Sequence, residues 1–308
     1  MRVVFMGTPE FAVRSLNQLY DDGFDIVGVF TQPDKPCGRG LKVSGSPVKK
    51  LALSQSTPVF QPISLREKDV ADSLRALQCD IIAVTAYGKL LSREILDIPP
   101  LGCVNIHGSI LPKYRGAAPI QHSILAGDRE TGITSMYMAE ELDAGDMIFT
   151  KVIPIGDDET SGELFGRLST LGAEVLSETL QAISYGLAPR IPQNHADATY
   201  APQLTRDMAP IDWNDTAFNI KCKVRAFNPW PIATAEFGNK TFKIFSVDIC
   251  DDRAGKKPGE IIDICKSTLR IACADGSIIV NELQAPGCKR MTAAECLRGN
   301  ARCFHDRL

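Results

Sequence analysis

Val3-Val4-Phe5-Met6 and Asp25-Ile26-Val27-Gly28-Val29-Phe30 are short apolar runs, and the residues between them have a different period. In that intervening segment, apolar side chains recur at helical spacing at Ala12, Leu16, Leu19 and Tyr20. Ile81-Ile82-Ala83-Val84-Thr85 and Cys103-Val104-Asn105-Ile106 repeat the first kind of run. Runs of this length suit strands that are covered on both faces. Their alternation with helices predicts a parallel α/β sheet, with ligands at the carboxyl ends of the strands.

A second pattern begins after a long apolar helix predicted over residues 159–185. Pro189, Pro192 and Pro202 interrupt the following residues, which predicts an extended linker. Beyond residue 206 the apolar runs are short and separated by Gly, Asn and Asp, as in a small β-barrel. We therefore predict a catalytic domain over 1–189, a linker over 190–205 and a second domain over 206–308.

Composition excludes several classes of protein. The chain has 308 residues, 44% of them hydrophobic and 23% charged, which argues against disorder, collagen and coiled coil. No apolar run approaches the length of a membrane span, and no signal peptide is recognised. The ten cysteines are scattered without a C-x-x-C pair, and the four histidines lack zinc-ligand spacing. These features predict a cytoplasmic protein with reduced thiols and no metal. We also expect a monomer, because the sequence shows no exposed apolar stripe that would require a partner chain.

Charge is distributed unevenly along the chain. The net charge is -3 overall, but it is +3 over residues 206–308 and -6 over residues 1–205. The second domain could therefore contact an anion, although ordinary variation among solvated surfaces explains the difference equally well.

Polar residues are densest at the end of a predicted buried strand, where Asn105 and His107 point to the same side by strand alternation. An amide and an imidazole can both stabilise a developing oxyanion. Downstream, Asp143 lies among several carboxylates in a predicted turn, although it could simply stabilise that turn. Ser109 lacks the setting of an activated nucleophile, and the absence of G-x-G-x-x-G argues against a dehydrogenase.

The motif Asn105-x-His107-x-Ser109-x-Leu111-Pro112-x-Tyr114-Arg115-Gly116, followed by Asp143, resembles the folate-dependent formyltransferases. Three further stretches are similar to members of that family that act on tRNA: residues 5–12, residues 31–40 and Asn228-Pro229-Trp230-Pro231. The resemblance extends from about residue 2 to the C-terminus. It implies a Rossmann-like first domain and an OB-like barrel as the second.

The same resemblance implies roles for the residues of the motif. Asn105, His107 and Asp143 would be catalytic. The turn formed by Ser109, Ile110, Leu111 and Pro112 would line the pocket of 10-formyltetrahydrofolate, the formyl donor. The acceptor would be the α-amine of methionine on initiator tRNA, with tetrahydrofolate as the other product and no metal required.

Basic residues near the predicted site are candidates for tRNA binding. The segment 34–50 carries a net charge of +4 and follows a strand end. A solvated loop is the simpler interpretation of that composition, and the resemblance favours an RNA contact. The candidates are Lys35, Arg39, Lys42, Lys49 and Lys50, with Arg39 foremost, and in the second domain Lys221, Lys223 and Arg225. The last three alternate at period 2, so a strand would align them and a helix would scatter them.

Two alternative functions remain open at this stage. A folate-dependent formyltransferase acting on a small amine, such as glycinamide ribotide, would share the catalytic residues. A non-catalytic protein that binds RNA or sugar nucleotides would share the fold. The second domain and the basic segment favour tRNA over the small amine, and the intact Asn-His-Asp set favours an enzyme.

Overall fold

The computed structural model describes residues 1–37, 42–265, 268–300 and 304, and it divides the chain into two compact units. The first unit comprises residues 1–119, 130–154 and 165–202, and the second comprises residues 120–129, 155–164 and 203–308.

The first unit is built on one seven-stranded sheet whose strands follow the order β5-β2-β1-β6-β7-β8-β9. The strands are β1 (Arg2–Gly7), β2 (Asp25–Phe30), β5 (Val59–Phe60), β6 (Ile81–Thr85), β7 (Cys103–His107), β8 (Glu130–Tyr137) and β9 (Met147–Pro154). The first five in that spatial order are parallel, and β8 and β9 are antiparallel to their neighbours. A separate pair, β3 (Lys35–Cys37) and β4 (Lys42–Ser44), follows β2.

Helices cover this sheet because the apolar faces of its strands must be buried on both sides. They are α1 (Glu10–Asp21), α2 (Pro47–Ser54), α3 (Lys68–Ala76), α4 (Arg93–Leu96) and the larger part of α6 (Ser161–Ser184), whereas most of α5 (Pro119–Leu125) belongs to the second unit. On one face, Val4 and Ile82 pack with Leu74 of α3. On α6, the Phe165 ring meets Phe11 of α1 edge to face, with the centroids 5.0 Å apart. The strands are thereby fixed, and with them the loops at their carboxyl ends.

The second unit is an antiparallel sheet in the order β10-β11-β14-β13-β12, with β15 paired to β14. Its strands are β10 (Ala233–Phe237), β11 (Lys240–Cys250), β12 (Ile261–Cys265), β13 (Thr268–Ala272), β14 (Ser277–Gln284) and β15 (Met291–Thr292). Helix α7 (Ala217–Ala226) packs against β11 and β14, and α8 (Ala293–Asn300) lies near the end of the chain. Three phenylalanine rings, at Phe237, Phe242 and Phe304, meet in the core.

The predicted fold class is confirmed, with two refinements. The Rossmann-like sheet is mixed rather than wholly parallel, because β8 and β9 run antiparallel. The OB-like domain is a curled antiparallel sheet that forms half a barrel. Over the described residues, no helix is long and apolar enough to cross a membrane.

Candidate active site

The site is centred on the carboxyl end of β7, which is hydrogen-bonded to β6 on one side and to β8 on the other. Asn105 and His107 are two residues apart on this strand and therefore lie on the same face of the sheet. The His107 side chain is 6% exposed and Asn105 is half-buried. The strand thus presents an amide and an imidazole together, as the sequence predicts.

The imidazole of His107 lies between two protein groups. Its Nε2 is 2.9 Å from the carbonyl oxygen of Tyr114, so Nε2 carries the proton and donates. Its Nδ1 is 3.6 Å from Oδ2 of Asp143, within ion-pair range. These two contacts, on opposite sides of the ring, fix the ring plane.

Asp143 lies in the loop 138–146 between β8 and β9, and its own backbone is unusual. Its φ is +50°, in the left-handed region that a side chain disfavours. The carboxylate accepts a hydrogen bond from the backbone N–H of Gly116 at 2.8 Å. Since the Asp143 side chain is only 13% exposed, this N–H and the His107 ring define where the carboxylate lies. The structure therefore brings the predicted catalytic trio to one place.

The turn predicted to line the folate pocket is held by one hydrogen bond from its own Ser109 and one from Thr134 on β8. Ser109 Oγ donates to the carbonyl of Lys113 at 2.6 Å, and Thr134 Oγ1 donates to the carbonyl of Ser109 at 2.7 Å. Ser109 and Leu111 are buried, whereas Ile110 and Pro112 are half-buried. Ile110 and Pro112 are thus the better placed of the four to touch a ligand.

Two further residues of the site were given no role by the sequence analysis. Gln193, in the predicted linker, is 6% exposed, and its amide nitrogen donates to the carbonyls of Asp143 and Gly145 at 2.9 and 2.8 Å. Arg115, in the quoted motif, is 1% exposed and donates twice to the side-chain oxygen of Gln193, at 3.1 and 2.8 Å. A lone glutamine in a proline-rich stretch carries no sequence signal, and the signal for Arg115 is its place in the quoted motif.

The predicted basic residues of the first unit have different surroundings. Lys35 donates to the side-chain oxygen of Gln32. Lys49 lies on helix α2 rather than in a loop, and it forms a 2.7 Å ion pair with Asp34. The hydrogen bond from Lys49 is the main cause that lowers the pKa of Asp34. Lys50 is exposed on the same helix. Arg39 and the side chain of Lys42 lie outside the described residues.

The three basic residues predicted in the second unit lie on helix α7 and not on a strand, so they do not share one face. Lys221 forms a 2.5 Å ion pair with Asp158, and Arg225 donates to the carbonyls of Glu159 and Gly156. Lys223 donates to the carbonyl of Pro210. The helix has a plain physical cause, because the Thr216 side chain caps it by accepting the N–H of Asn219.

Within the described ranges no group of three or more His, Cys, Asp or Glu side chains is arranged to hold a metal ion. The polar side chains predicted to be catalytic are instead an amide, an imidazole and a carboxylate. This set can stabilise an oxyanion and accept a proton.

The sequence of the chain matches two family models, one for each part of the chain. Residues 1–180 match the family described as formyl transferase, and residues 203–301 match the formyl transferase C-terminal domain. The chain belongs to the formyl transferase family, a family of enzymes.

Two relatives that are similar over nearly their full length share one name. A protein of Alkaliphilus oremlandii is 46% identical over 301 residues, which cover 98% of this chain and 97% of the relative, and it is named methionyl-tRNA formyltransferase. A Clostridioides difficile protein of the same name is 44% identical and covers 97% of both chains.

Solved structures share the fold at lower identity. An N-formyltransferase from Helicobacter canadensis, in complex with folinic acid and dTDP-3-aminofucose, aligns with a TM-score of 0.71 at 20% identity. It covers 92% of this chain and 98% of that structure. HypX from Aquifex aeolicus in complex with tetrahydrofolic acid gives a TM-score of 0.61 at 17% identity over 96% of this chain and 47% of its own.

Proposed function

We propose that this chain transfers a formyl group from 10-formyltetrahydrofolate to the α-amine of methionine on initiator tRNA, with Asn105, His107 and Asp143 as catalytic residues. The observation that carries the proposal is the meeting of His107 Nδ1 and Asp143 Oδ2 at 3.6 Å beside Asn105. The end-to-end relatives named methionyl-tRNA formyltransferase support the acceptor.

The first step is attack by the neutral amine on the formyl carbon, which forms a new C–N bond and a tetrahedral oxyanion. An α-amine titrates near pH 8, so a usable fraction is neutral at physiological pH. The Asn105 amide donates to the oxyanion. The His107 Nε2–H, which donates to the Tyr114 carbonyl in this structure, transfers its hydrogen bond to the oxyanion when the substrates bind. Hydrogen bonds in catalytic sites often reach their productive geometry only in the complex.

The second step requires proton movement. The attacking nitrogen gains positive charge and must lose a proton, and Asp143 accepts it directly or through water. Collapse of the tetrahedral species breaks the bond between the formyl carbon and the donor nitrogen, which takes up a proton and leaves as tetrahydrofolate. Asp143 also holds the His107 ring in place, because its Oδ2 lies 3.6 Å from His107 Nδ1. No covalent enzyme intermediate is needed.

The formyl donor is expected beside the turn of Ser109, Ile110, Leu111 and Pro112. The faces of the donor's pterin and benzoyl rings can pack on apolar side chains, and Ile110 and Pro112 offer partly exposed apolar surface next to β7. Two proteins that share this fold were solved with folinic acid and with tetrahydrofolic acid, which supports a folate as the donor class.

A tRNA acceptor would need a binding surface, which the second domain is proposed to supply. We assign catalysis to residues 1–189 and RNA binding to residues 206–308, joined by residues 190–205. Arg39 is the foremost candidate for the acceptor end, because its planar guanidinium can pair with a phosphate or a base edge. Of the other candidates, Lys50 is exposed, whereas Lys49 and Lys221 already have carboxylate partners. A reaction between charged tRNA and a reduced folate implies a cytoplasmic location, and one chain supplies every proposed group, so we propose a monomer.

The test compares acceptors under single-turnover conditions with 10-formyltetrahydrofolate. Initiator methionyl-tRNA, elongator methionyl-tRNA, glycinamide ribotide and a dTDP-amino sugar are offered in parallel. We expect transfer to the initiator methionyl-tRNA. Transfer to a small amine alone would keep the catalytic site and refute the tRNA acceptor, and transfer to none would leave a binding protein.

Variants test the catalytic assignment separately. Asn105→Ala and His107→Ala should each reduce the rate by about 10²–10³, the usual effect of removing one oxyanion donor. Asp143→Asn should reduce the rate by about 10²–10⁴, the usual contribution of a general base. Gln181→Leu, an exposed position on α6, is the matched control. Near wild-type transfer by all three variants would refute the assignment.

A further inference from the structure

We propose that Gln193 is a positioning residue, whose side-chain amide, oriented by the buried guanidinium of Arg115, holds Asp143 in its catalytic place. The proposal rests on the proposed function, and it adds a part of the predicted linker to the machinery of the site.

The Gln193 amide is fully used. Its nitrogen donates one hydrogen to the carbonyl of Asp143 at 2.9 Å and the other to the carbonyl of Gly145 at 2.8 Å. Its oxygen accepts from Nε and Nη2 of Arg115 at 3.1 and 2.8 Å. A glutamine amide offers two donor hydrogens and two acceptor lone pairs, so all four are satisfied. Rotation of the amide by half a turn would set its oxygen against two carbonyls and its nitrogen against a cation, so one orientation is fixed.

Arg115 explains why that orientation is stable. The side chain is 1% exposed, and a buried guanidinium needs partners for its N–H groups. Besides Gln193, its Nη1 lies 3.5 Å from His195 Nδ1 and 3.6 Å from Glu141 Oε1. Glu141 belongs to the same loop as Asp143, so Arg115 contacts this loop directly as well as through Gln193.

The loop needs this support because its conformation is unfavourable by itself. Asp143 has a φ of +50°, in the left-handed region where the Cβ of a non-glycine residue crowds the backbone. Such residues persist where the surroundings over-determine them. The Gln193 amide bonds the carbonyl of Asp143 itself, while Asp143 Oδ2 is held by the Gly116 N–H at 2.8 Å.

The residues around Gln193 are themselves anchored to the first unit. Ile191 exchanges two backbone hydrogen bonds with Met147, at 2.9 and 3.0 Å. Farther along, Arg115 N–H donates to the carbonyl of Thr199 at 2.8 Å and Ala201 N–H donates to the carbonyl of Arg115 at 2.7 Å. Gln193 therefore approaches the Asp143 loop from a segment that is fixed on both sides.

Two substitutions separate the two halves of the Gln193 contact. Gln193→Glu keeps an acceptor for Arg115 but removes both donors to the loop. Gln193→Leu removes the donors and the acceptor while keeping a side chain of similar size. Both should reduce the single-turnover rate by about 10²-fold, the effect of displacing a catalytic group by about 1 Å. The KM values for both substrates should change little, because no substrate contact is lost. Gln181→Leu serves as the control for the same chemical change on the same unit.

A double-mutant cycle distinguishes positioning from general damage. In an Asp143→Asn background, Gln193→Leu should cost less than about threefold, because the group it positions is already disabled. A further loss of about 10²-fold in that background would overturn the proposal, as would a Gln193→Glu variant with the wild-type rate.

A readout without catalysis separates this inference from the proposed function. The Gly116 amide reports the position of the Asp143 carboxylate, so hydrogen exchange over residues 113–119 should be about tenfold faster in both Gln193 variants. Faster exchange in an enzyme that fails to formylate methionyl-tRNA would refute only the function. Unchanged exchange in both variants would refute the positioning role, whatever the activity.

Discussion

Gly145 offers a sharp test of how closely the Asp143 loop must be placed. A Cβ added at this residue would lie 1.8 Å from the carbonyl oxygen of Tyr137, and real Cβ atoms essentially never come closer than 3.0 Å to such an atom. Both atoms that clash belong to backbone or are fixed to it, so no side chain can rotate away. Gly145→Ala therefore requires a backbone movement of at least about 1.2 Å.

That movement can be converted into expected effects. The Gly145 carbonyl accepts from Gln193, so a shift of this size breaks a 2.8 Å hydrogen bond and displaces Asp143 two residues away. A misplacement of about 1 Å costs about 10²-fold in rate, equivalent to about 2.7 kcal/mol of transition-state stabilisation. Overpacking of a close contact also lowers the free energy of unfolding by about 1–3 kcal/mol.

The assay is single-turnover formyl transfer to methionyl-tRNA, together with urea unfolding of the same samples. Gly166→Ala is the matched control, since Gly166 lies in α6 and no described atom lies within 4 Å of an added Cβ. That control should raise the free energy of unfolding by about 0.5–1 kcal/mol and leave the rate unchanged. A Gly145→Ala enzyme that transfers at the wild-type rate would refute the reasoning, because the loop would then tolerate a displacement larger than an ångström.

Three further predictions address other parts of the chain. Arg39→Ala should weaken transfer to charged tRNA far more than tetrahydrofolate binding, and equal losses in steady-state kinetics and in titration would contradict an RNA contact. Lys221, through its hydrogen bond, lowers the pKa of Asp158, so this pair stabilises the fold above the unfolded pKa near 3.8 and the contribution disappears as the pH falls through the lower folded value. Lys221→Met should thus reduce the free energy of unfolding by less than about 1 kcal/mol at pH 7, with a smaller difference in urea titrations at pH 3; an equal difference at both values would show that the ion pair contributes nothing. Burial raises the pKa of Cys103 to about 12, so at pH 8 a thiol reagent should modify the exposed Cys288 and spare Cys103 until the protein is unfolded, and rapid labelling of Cys103 in the native protein would count against that burial.

The position of the site was predictable from the sequence because it follows a general property of α/β sheets. Apolar runs marked the buried strands, and polar residues that follow such a run lie at the ligand-binding edge. Strand alternation then placed Asn105 and His107 on one face. The antiparallel pairing of β8 with β9 was not predicted, although the loop 138–146 between them is too short for the crossover that a parallel pair requires.

Helix α7 shows where a charge pattern misled and a better signal existed. Period 2 in Lys221, Lys223 and Arg225 suggested a possible strand. The capping residue Thr216 and the buried residues Ile220 and Val224, four apart, indicate a helix. The spacing of apolar residues indicates which side of a segment is buried, and so distinguishes a helix from a strand. Charged residues can point into solvent from either a helix or a strand, so their spacing does not.

Arg115 and Gln193 show what lies beyond a single sequence. Arginine is almost never fully buried, so sequence gives no reason to place Arg115 in an interior, and its 1% exposure depends on partners 26 to 80 residues away. Its neighbours in the motif, Tyr114 and Gly116, contact His107 and Asp143 through backbone atoms, which any residue could supply. Contacts of this kind become visible only when distant segments are brought together.

The dependence of Asp143 on a distant segment has a consequence for how the site is assembled. His107 is placed by β7 and needs only the sheet, but the carboxylate beside it needs the loop 138–146, the Gly116 N–H and the Gln193 amide together. The loop alone would not favour a φ of +50° at Asp143. The proposed catalytic pair is therefore complete only when residues 191–201 have packed on the rest of the first unit, so we propose that a stretch with the composition of a connector supports the chemistry of the site.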